Sequence, residues 1–317
     1  MTKNSILVVG SSNTDMIIKM ERIPKPGETI IGGEFASAAG GKGANQAVGA
    51  ARAGGTVTLV ARVGRDMFGE TAIAGFAADG INVDYVVRDR TSPSGVALIF
   101  VGQNGENSIA VASGANARLT PADVRKAKAA FRKASVLLLQ LETPLDTVQA
   151  AADLAEAAGV RVILNPAPAR PLPNKLLRRL YLLTPNESEA ELLTGVAVHN
   201  VEGAAKAASA LLARGVQNVI MTMGARGALV VGADLRQMIP SFKVKAVDTT
   251  AAGDIFNGAL ALGLAEGRSL LEAAHFASAA AAISVTRMGA QTSAPTRKEI
   301  DRLLARTSGC LPVTESV

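Results

Sequence analysis

Tryptophan is absent from this 317-residue chain, tyrosine and histidine occur twice each, and aromatic residues make up only 3% of the sequence. Proteins that bind single-stranded nucleic acid usually combine a basic groove with aromatic rings on which bases stack. The lysines and arginines here form short clusters without such rings, which we interpret as solvated helix faces. The sequence therefore argues against a nucleic-acid partner, and its net charge of +6 is better suited to an anionic small molecule such as ATP.

Cysteine and long apolar runs are also scarce. Cys310 is the only cysteine, so no intrachain disulfide can form, and its polar surroundings in the C-terminal tail suggest no role for the thiol. No stretch reaches the roughly 18 apolar residues that span a bilayer. The apolar run from Ile6 to Val9 is too short for the core of a signal peptide. We expect a cytoplasmic protein with no membrane partner.

Short β-branched runs alternate with alanine-rich segments along most of the sequence, which is 48% hydrophobic. This alternation predicts an α/β fold in which helices flank a Rossmann-like, doubly wound and mostly parallel sheet. The first predicted strand is Ser5–Val9, and the last is a long strand from Met238 to Val247. We see no linker or internal repeat, so residues 1–317 are predicted to form a single domain.

The rhythm of strand and helix breaks between Ser94 and Ala112. Two β-rich arms there flank Asn104-Gly105, and Asn-Gly between such arms is a strong signal for a hairpin. The segment from Met16 to Ile31 also alternates, as strands of a partly exposed sheet do. We predict that residues 14–40 and 93–112 together form a small β-sheet lid that is inserted in the α/β core.

The stretch from Val247 to Leu260 is the most informative part of the sequence for function. Lys243 to Val247 alternates like the end of a strand, and small residues then lead into a helix that begins near Ala252. The first N–H groups of a helix have no intrahelical partner and lie at the positive end of its dipole, so they bind anions readily. Asp254 is therefore either a charge that complements the dipole or a general base beside a phosphoryl group.

A second glycine-rich stretch, Gly40-Gly41-Lys42-Gly43, superficially resembles a phosphate-binding loop. The Walker pattern, G-x-x-x-x-G-K followed by Ser or Thr, requires a glycine at position 36, five residues before Gly41, and a Ser or Thr after Lys42 to hold Mg²⁺. Neither residue is present here. A P-loop NTPase is therefore disfavoured.

Three motifs carry a family resemblance that covers nearly the whole chain. The stretch from Gly40 to Asn45 matches G-G-K-G-x-N, and Asn186 with Glu189 matches N-x-x-E. The pattern D-T-x-G-A-G-D is matched by Asp248, Thr249, Gly253 and Asp254, with Ala251 in place of its first glycine. The chain thus resembles the ribokinase/PfkB family of sugar kinases.

The resemblance implies ATP-dependent phosphorylation of D-ribose at O5, with Mg²⁺ accompanying ATP and K⁺ as an activator. Asp254 would act as the base, and the N–H groups of Ala251, Ala252 and Gly253 would stabilise charge on the transferring phosphoryl group. Lid sheets have open edges, so we also expect a homodimer in which two paired lids bury those edges. The alternatives are a kinase of the same fold for another substrate (2-deoxyribose, a fructose-type sugar or pseudouridine) and a sugar sensor without transfer activity.

Three sets of site residues follow from the resemblance. The sugar would be bound by Asn13, Asp15, Gly41, Lys42, Gly43, Ala44, Asn45, Glu142 and Asp254. The nucleotide would be bound by Asn186, Glu189, Thr222, Met223, Gly224, Ala225, Arg226, Gly227, Gly253 and Ser278, with Glu189 also organising Mg²⁺ through water. The monovalent cation would be held by Asp248, Thr250, Ser284, Arg287, Gly289 and Ser293.

Overall fold

The computed structural model describes residues 4–306. The strands in that range are β1 (Ser5–Val9), β2 (Asn13–Met20), β3 (Glu34–Gly40), β4 (Thr56–Gly64), β5 (Asn82–Asp89), β6 (Gly95–Gly102), β7 (Asn107–Ala112), β8 (Val136–Leu139), β9 (Arg161–Leu164), β10 (Leu182–Leu183), β11 (Val219–Thr222), β12 (Ala228–Gly232) and β13 (Leu235–Ile239). The α-helices are α1 (Lys42–Arg52), α2 (Met67–Ala78), α3 (Pro121–Lys126), α4 (Lys128–Phe131), α5 (Leu145–Ala157), α6 (Asn174–Leu177), α7 (Glu187–Thr194), α8 (Val201–Ala213), α9 (Ala252–Ala265), α10 (Leu270–Ser284) and α11 (Arg297–Arg306).

Nine of the strands in residues 4–306 form one sheet in the order β13-β12-β11-β10-β9-β8-β1-β4-β5. All neighbours are parallel except at β12, which runs antiparallel to β11 and β13. The predicted mostly parallel α/β fold is confirmed. The carboxyl ends of its parallel strands lie at one edge, which is where open α/β sheets bind ligands.

Both faces of this sheet are covered by helices, so its central strands, such as β1 and β8, are almost wholly apolar and buried. Alternate residues of β1 show the division, because Ile6 and Val8 belong to one buried cluster and Leu7 and Val9 to another. The first cluster includes residues of α1, α9 and α10, and the second includes residues of α3, α5 and α8.

Glycines allow α1 and α9 to pack very closely. A Cβ on Gly258 of α9 would lie 2.4 Å from the carbonyl oxygen of Gln46 in α1, which is too close for any side chain. On the opposite helix, a Cβ on Gly49 would lie 3.2 Å from the Ile255 side chain. This contact brings the first turns of the two helices together, and both turns carry predicted site residues.

The remaining four strands in the described range form the predicted small sheet, in the order β3-β2-β6-β7. One boundary prediction was wrong, because the alternating segment from Met16 to Ile31 is a strand only as far as Met20. Pro24 and Pro26 interrupt the pattern, and the Glu28 N–H donates to the Lys25 carbonyl in a turn. The strand that pairs with β2 is the later segment β3, so the sheet exists with a different second strand.

The long strand predicted from Met238 to Val247 was also wrong. β13 ends at Ile239, Pro240 follows it, and residues 241–247 have no strand conformation. Proline has no N–H to donate to a sheet, and Lys243 to Val247 are exposed with no strand beside them.

No helix in residues 4–306 combines the length and apolar character needed to cross a membrane. Cys310 lies outside the described residues.

Candidate active site

The carboxylate of Asp254 lies at the centre of the site, in the first turn of α9. Asp254 is 6% exposed, and each of its oxygens accepts a hydrogen bond from an amide of α1. Asn45 Nδ2 donates to Oδ2 at 3.0 Å, and Gln46 Nε2 donates to Oδ1 at 2.9 Å. Burial raises the pKa of Asp254 above its ordinary value, while Lys42 and the two amides favour the charged form.

The backbone just before Asp254 has an unusual conformation. Ala251 has φ of 57°, in the left-handed region that most L-residues avoid. The N–H of Ala252 donates to the Thr249 carbonyl at 3.2 Å, whereas the N–H groups of Ala251 and Gly253 have no acceptor within residues 4–306. Two of the three predicted anion-binding donors are therefore available to a ligand.

Glu142 follows β8 and reaches the N-terminus of α1. Its Oε2 accepts the backbone N–H of Lys42 at 2.9 Å and also the Ser11 hydroxyl. Ser11 in turn accepts the N–H of Gly43 at 3.2 Å through its hydroxyl, and the N–H of Ala44 at 2.8 Å through its carbonyl. The glycine-rich start of α1 is thus fixed against the end of β1.

Asn13 and Asp15 project from the same face of β2, because side chains alternate along a strand. Asn13 is buried and accepts a hydrogen bond from Asn116 Nδ2 at 2.8 Å. Burial, with the nearby carboxylates of Glu142 and Asp254, raises the pKa of Asp15 to about 6. A Cβ on Gly40 would lie 2.3 Å from Asp15 Oδ2, so a larger residue at this position would displace the Asp15 carboxylate.

Lys42 supplies the positive charge among these acidic groups. Burial disfavours its charged form, but Asp254, Glu142 and Glu189 outweigh burial and raise the pKa of Lys42 above its ordinary value. Within residues 4–306 the ammonium group forms no ion pair within 4.0 Å. It is therefore a charged donor that a ligand can engage.

A cavity of about 850 Å³ opens beside Asp254, against the N-terminus of α9. Seven of the predicted nucleotide residues line it: Asn186, Thr222, Gly224, Ala225, Gly227, Gly253 and Ser278. Three do not: Met223, Arg226 and Glu189. Met223 packs in the second core, and the Arg226 guanidinium pairs with Glu187 and the His199 carbonyl instead.

The N-x-x-E motif forms a helix cap. Asn186 Oδ1 accepts the Glu189 N–H at 2.8 Å, and Glu189 Oε2 accepts the Asn186 N–H at 2.8 Å, which is a capping box at the start of α7. Burial raises the pKa of Glu189, and its carboxylate interacts electrostatically with Lys42 and Asp254. The cap thus holds a carboxylate towards the site, where it would suit an indirect Mg²⁺ contact.

The residues predicted to hold a monovalent cation lie on two segments that Asp248 joins. Its carboxylate accepts the Thr250 N–H at 2.9 Å and the Gly289 N–H at 2.8 Å. Within the described range the carbonyls of Thr250, Arg287 and Gly289 accept no hydrogen bond, while the Ser284 carbonyl accepts the Arg287 N–H. The Ser293 hydroxyl donates to the Ala290 carbonyl. Three unpaired carbonyls near a carboxylate fit the oxygen ligands that K⁺ prefers.

Across residues 4–306, no group of three or more His, Cys, Asp or Glu side chains is arranged to hold a metal ion.

Sequence reasoning missed two groups of residues at this site. The first is a set of buried polar side chains around Asp254: Ser11, Gln46, Asn116, Gln140, Asn165, Thr184 and Asn257. Several of them directly follow predicted strands, and that signal could have found them. The second group, Phe242, Lys243, Val244 and Ala246, lines the cavity. It was hidden because that segment was predicted to be a strand.

Comparison with known proteins identifies the family. Residues 3–297 match the pfkB family carbohydrate kinase model. The chain belongs to the pfkB family of carbohydrate kinases. The resemblance inferred from the three motifs is thereby confirmed.

Individual members of the pfkB family are similar to the chain over nearly its full length. Ribokinase of Haemophilus influenzae is 46% identical, covering 94% of this chain and 97% of the relative. Deoxyribokinase of Salmonella typhi is 39% identical, covering 95% and 98%. The solved structure of Arabidopsis thaliana ribokinase complexed with ribose and ATP matches with a TM-score of 0.88 at 35% identity, covering 96% of this chain and 99% of that one.

Proposed function

We propose that this chain transfers the γ-phosphoryl group of ATP to the 5-hydroxyl group of D-ribose. The observation that carries the proposal is the position of Asp254. It is a buried carboxylate at the N-terminus of α9, with the 850 Å³ cavity beside it and the hydroxyl-binding side chains Asn13, Asp15 and Asn45 nearby. Similarity to ribokinases, including one complexed with ribose and ATP, supports both substrates.

In the proposed reaction Asp254 accepts the proton of the ribose 5-hydroxyl as that oxygen attacks the γ-phosphorus and the bond to the ADP oxygen breaks. The unpaired N–H groups of Ala251 and Gly253 donate to the oxygens of the transferring phosphoryl group. Lys42 adds a positive charge close to the carboxylates of Asp254, Glu142 and Glu189. Mg²⁺, when bound with ATP, neutralises charge on the phosphate oxygens, and Glu189 would hold it through water.

The remaining roles complete the proposal. The oxygens on the Asp248 and Gly289 segments would bind K⁺, which would fix the turn that leads to the phosphoryl site. The small sheet would cover the sugar and exclude water, which competes with ribose as acceptor. Two copies would associate through these sheets, and the cytoplasm, where ATP is made and used, is the proposed compartment.

A second substrate, 2-deoxyribose, is favoured by the 39% identity to deoxyribokinase. Asn13 is the residue we expect to discriminate, because a buried amide without a partner costs about 1–3 kcal/mol. If it pairs with a ribose hydroxyl, Asn13→Met should narrow the preference for ribose chiefly by lowering kcat/KM for ribose. Equal loss for both sugars would assign the discrimination elsewhere.

The decisive experiment measures ATP consumption with pentoses, hexoses and nucleosides in K⁺, Na⁺ and a bulky organic cation. We expect ribose to be the best acceptor and K⁺ to give the highest rate. Asp254→Asn should bind ribose but lose about 10²–10⁴-fold in kcat, as expected for loss of a general base. A different preferred acceptor would replace ribose in the proposal, and near-normal turnover by the variant would remove Asp254 as the base.

A further inference from the structure

A hydrogen-bonded chain of buried side-chain amides contacts Asp254, and Gln46 is at the centre of this chain. Gln46 has no exposed surface. Its Nε2 donates to Asp254 Oδ1 at 2.9 Å and to Asn165 Oδ1 at 3.1 Å, and its Oε1 accepts from Gln140 Nε2 at 2.6 Å. Both of its donor hydrogens and its acceptor are therefore engaged.

The orientation of each amide in this chain is fixed by a group that can only accept. Asn165 Nδ2 donates to the Thr184 carbonyl at 3.1 Å, so Asn165 must present its oxygen to Gln46. The Gln46 side chain must then present its amino group both to Asn165 and to the Asp254 carboxylate. If the Gln46 amide were flipped, its oxygen would face the oxygens of Asn165 and Asp254, which are both acceptors. Because these side chains are buried, such an unpaired contact would be costly.

Close packing of the backbone holds this chain in place. Gly258 allows α9 to approach α1 at the Gln46 carbonyl, which sets the distance between Gln46 and Asp254. A Cβ on Gly10 would lie 2.1 Å from Gln140 Oε1, so the glycine at the end of β1 makes room for Gln140. The amides therefore have little freedom to relax when one of them is removed.

Gln46 differs from the other amide on Asp254 in what it can contact. Asn45 is a predicted sugar contact, and its Oδ1 is buried without a partner in the described structure, so a ligand could engage it. Gln46 is fully enclosed and its polar atoms are all paired within the protein. Its effect on a reaction can come only through Asp254 and the neighbouring amides.

We propose that Gln46 is a positioning residue for the base, holding the Asp254 carboxylate in one orientation and in its ionised form. The inference rests on the proposed function, in which Asp254 accepts the hydroxyl proton. A hydrogen bond to the charged form of a carboxyl lowers its pKa, whereas burial raises it. The Gln46 donor thus offsets part of the burial that the site imposes on Asp254.

Charged groups on four neighbouring segments also act on Asp254. Lys42 of α1 favours its ionised form, and Glu142 after β8 disfavours it. Asp15 of β2 and Glu189 of α7 also interact with it electrostatically. A substitution at Gln46 leaves all four charged groups in place. A change in the pKa of Asp254 would therefore be due to loss of the Gln46 hydrogen bond.

The test compares the pH dependence of kcat for the wild-type chain, Gln46→Met and Gln46→Glu. We expect the acidic limb to move up by about one pH unit in Gln46→Met, which lowers kcat about tenfold on that limb, while KM for ribose changes little. Gln46→Glu keeps the shape and the contact with Gln140 but pairs two carboxyls. The last proton should leave that pair at a still higher pH.

The matched control is Asn218→Leu, which removes a half-buried hydrogen bond from the side-chain amide to the Tyr181 carbonyl at the opposite edge of the sheet. It should lower stability without moving the acidic limb. Gln46 would be merely structural if both of its variants lost stability as the control does and kept the wild-type limb.

A direct titration separates this inference from the proposed function. Carbon-13 NMR of labelled aspartates, with the Asp254 signal assigned through Asp254→Asn, measures the carboxyl without any substrate. A higher Asp254 pKa in Gln46→Met supports the inference even if ribose proves to be the wrong acceptor. An unchanged pKa overturns it even if ribose is phosphorylated as proposed.

Discussion

At the scale of single residues, Ala251 is the clearest case of strain beside the phosphoryl site. Its φ of 57° costs an L-residue about 1–2 kcal/mol, whereas glycine adopts this region freely. Ala251→Gly also gives the unfolded chain more freedom, which costs about 0.4–1 kcal/mol. We predict a net gain of about 0.5–1 kcal/mol in the free energy of unfolding, measured by denaturant titration.

The neighbouring Ala252→Gly is the control, because Ala252 is the first residue of α9 and does not have a positive φ. It should destabilise by up to about 0.5–1 kcal/mol, the cost of glycine in the middle of a helix. If both substitutions lowered stability equally, the left-handed conformation at Ala251 would not be a source of strain.

The role proposed for Asp15 in sugar binding conflicts with the stability of the folded protein. Its pKa of about 6 in the folded chain, against 3.8 as the ordinary value, means that folding disfavours its charged form. Asp15→Asn should therefore raise the melting temperature of the sugar-free protein at pH 7–8 while weakening ribose binding.

The sign of the pH dependence follows from linkage between protonation and folding. The stability gain of Asp15→Asn is full above the folded pKa of about 6 and shrinks as pH falls towards 3.8, because the wild-type carboxyl becomes protonated there. Thermal melts of both proteins at pH 8, 6 and 4 measure this. A gain that stayed constant across that range would mean that charge on Asp15 is not the cause.

Residue identity was easier to predict than residue partnership. Asp254, Lys42 and Asn45 could be found because they stand in short motifs whose chemistry is local. Gln46 stands next to Asn45 and carried no signal, because its importance depends on Gln140 and Asn165, which are 94 and 119 residues away along the chain. Such a network forms only when several strands end at one edge of the sheet.

At the scale of elements, prediction succeeded where the local signal and the final environment agreed. The β6–β7 hairpin was found from Asn104-Gly105, since turn geometry is encoded locally. β3 was missed because its residues, from Glu34 to Gly40, are mainly small and have weak β-propensity. It is a strand because β2 offers it an unpaired edge. The strand predicted for residues 243–247 was wrong for the opposite reason. These residues have the alternating sequence pattern of a strand, but no strand lies beside them to pair with.

The connections of the small sheet to the core suggest where it moves. Before β6, the Ser94 N–H and hydroxyl both donate to the Asp66 carboxylate at 2.7 Å, which fixes this entry to the start of α2. After β7, Asn116 bonds both Ser12 and Asn13. The connections before β6 and after β7 are therefore anchored to the core. We expect movement in the strands of the small sheet and not at these two connections.

We predict that ribose increases amide-exchange protection in β2, β3, β6 and β7. The physical reason is that a bound sugar would hold the sheet against the core through Asn13 and Asp15. Exchange monitored by mass spectrometry should show little change at Ser94 and in β9, which serve as internal controls. Protection confined to α1 and the start of α9 would mean that this sheet is not a ligand-gated cover.

At the scale of the whole molecule, the small sheet leaves apolar side chains exposed on both of its faces and an open edge, since the strand register puts Phe35 and Leu98 on one face and Ile109 and Val111 on the other. Phe35, Leu98, Ile109 and Val111 are 66%, 45%, 56% and 52% exposed. β7 forms one edge of the sheet, all six of its residues are exposed, and it contains neither proline nor charge. Exposed edges of this kind readily pair with another chain unless they are protected. A second copy that pairs along β7 would cover the edge and the apolar side chains next to it, Ile109 and Val111.

We therefore predict a dimer whose interface includes β7. Ile109→Lys places a charge on the edge strand beside Val111, where burial without a partner is costly, and should shift the protein towards monomer in sedimentation velocity at micromolar concentration. Leu192→Lys is the matched control, since Leu192 is similarly exposed at 53% but lies on α7. It should leave the dimer intact. A monomeric wild-type chain would contradict the predicted dimer. A dimer that survives Ile109→Lys but not Leu192→Lys would place the interface away from β7.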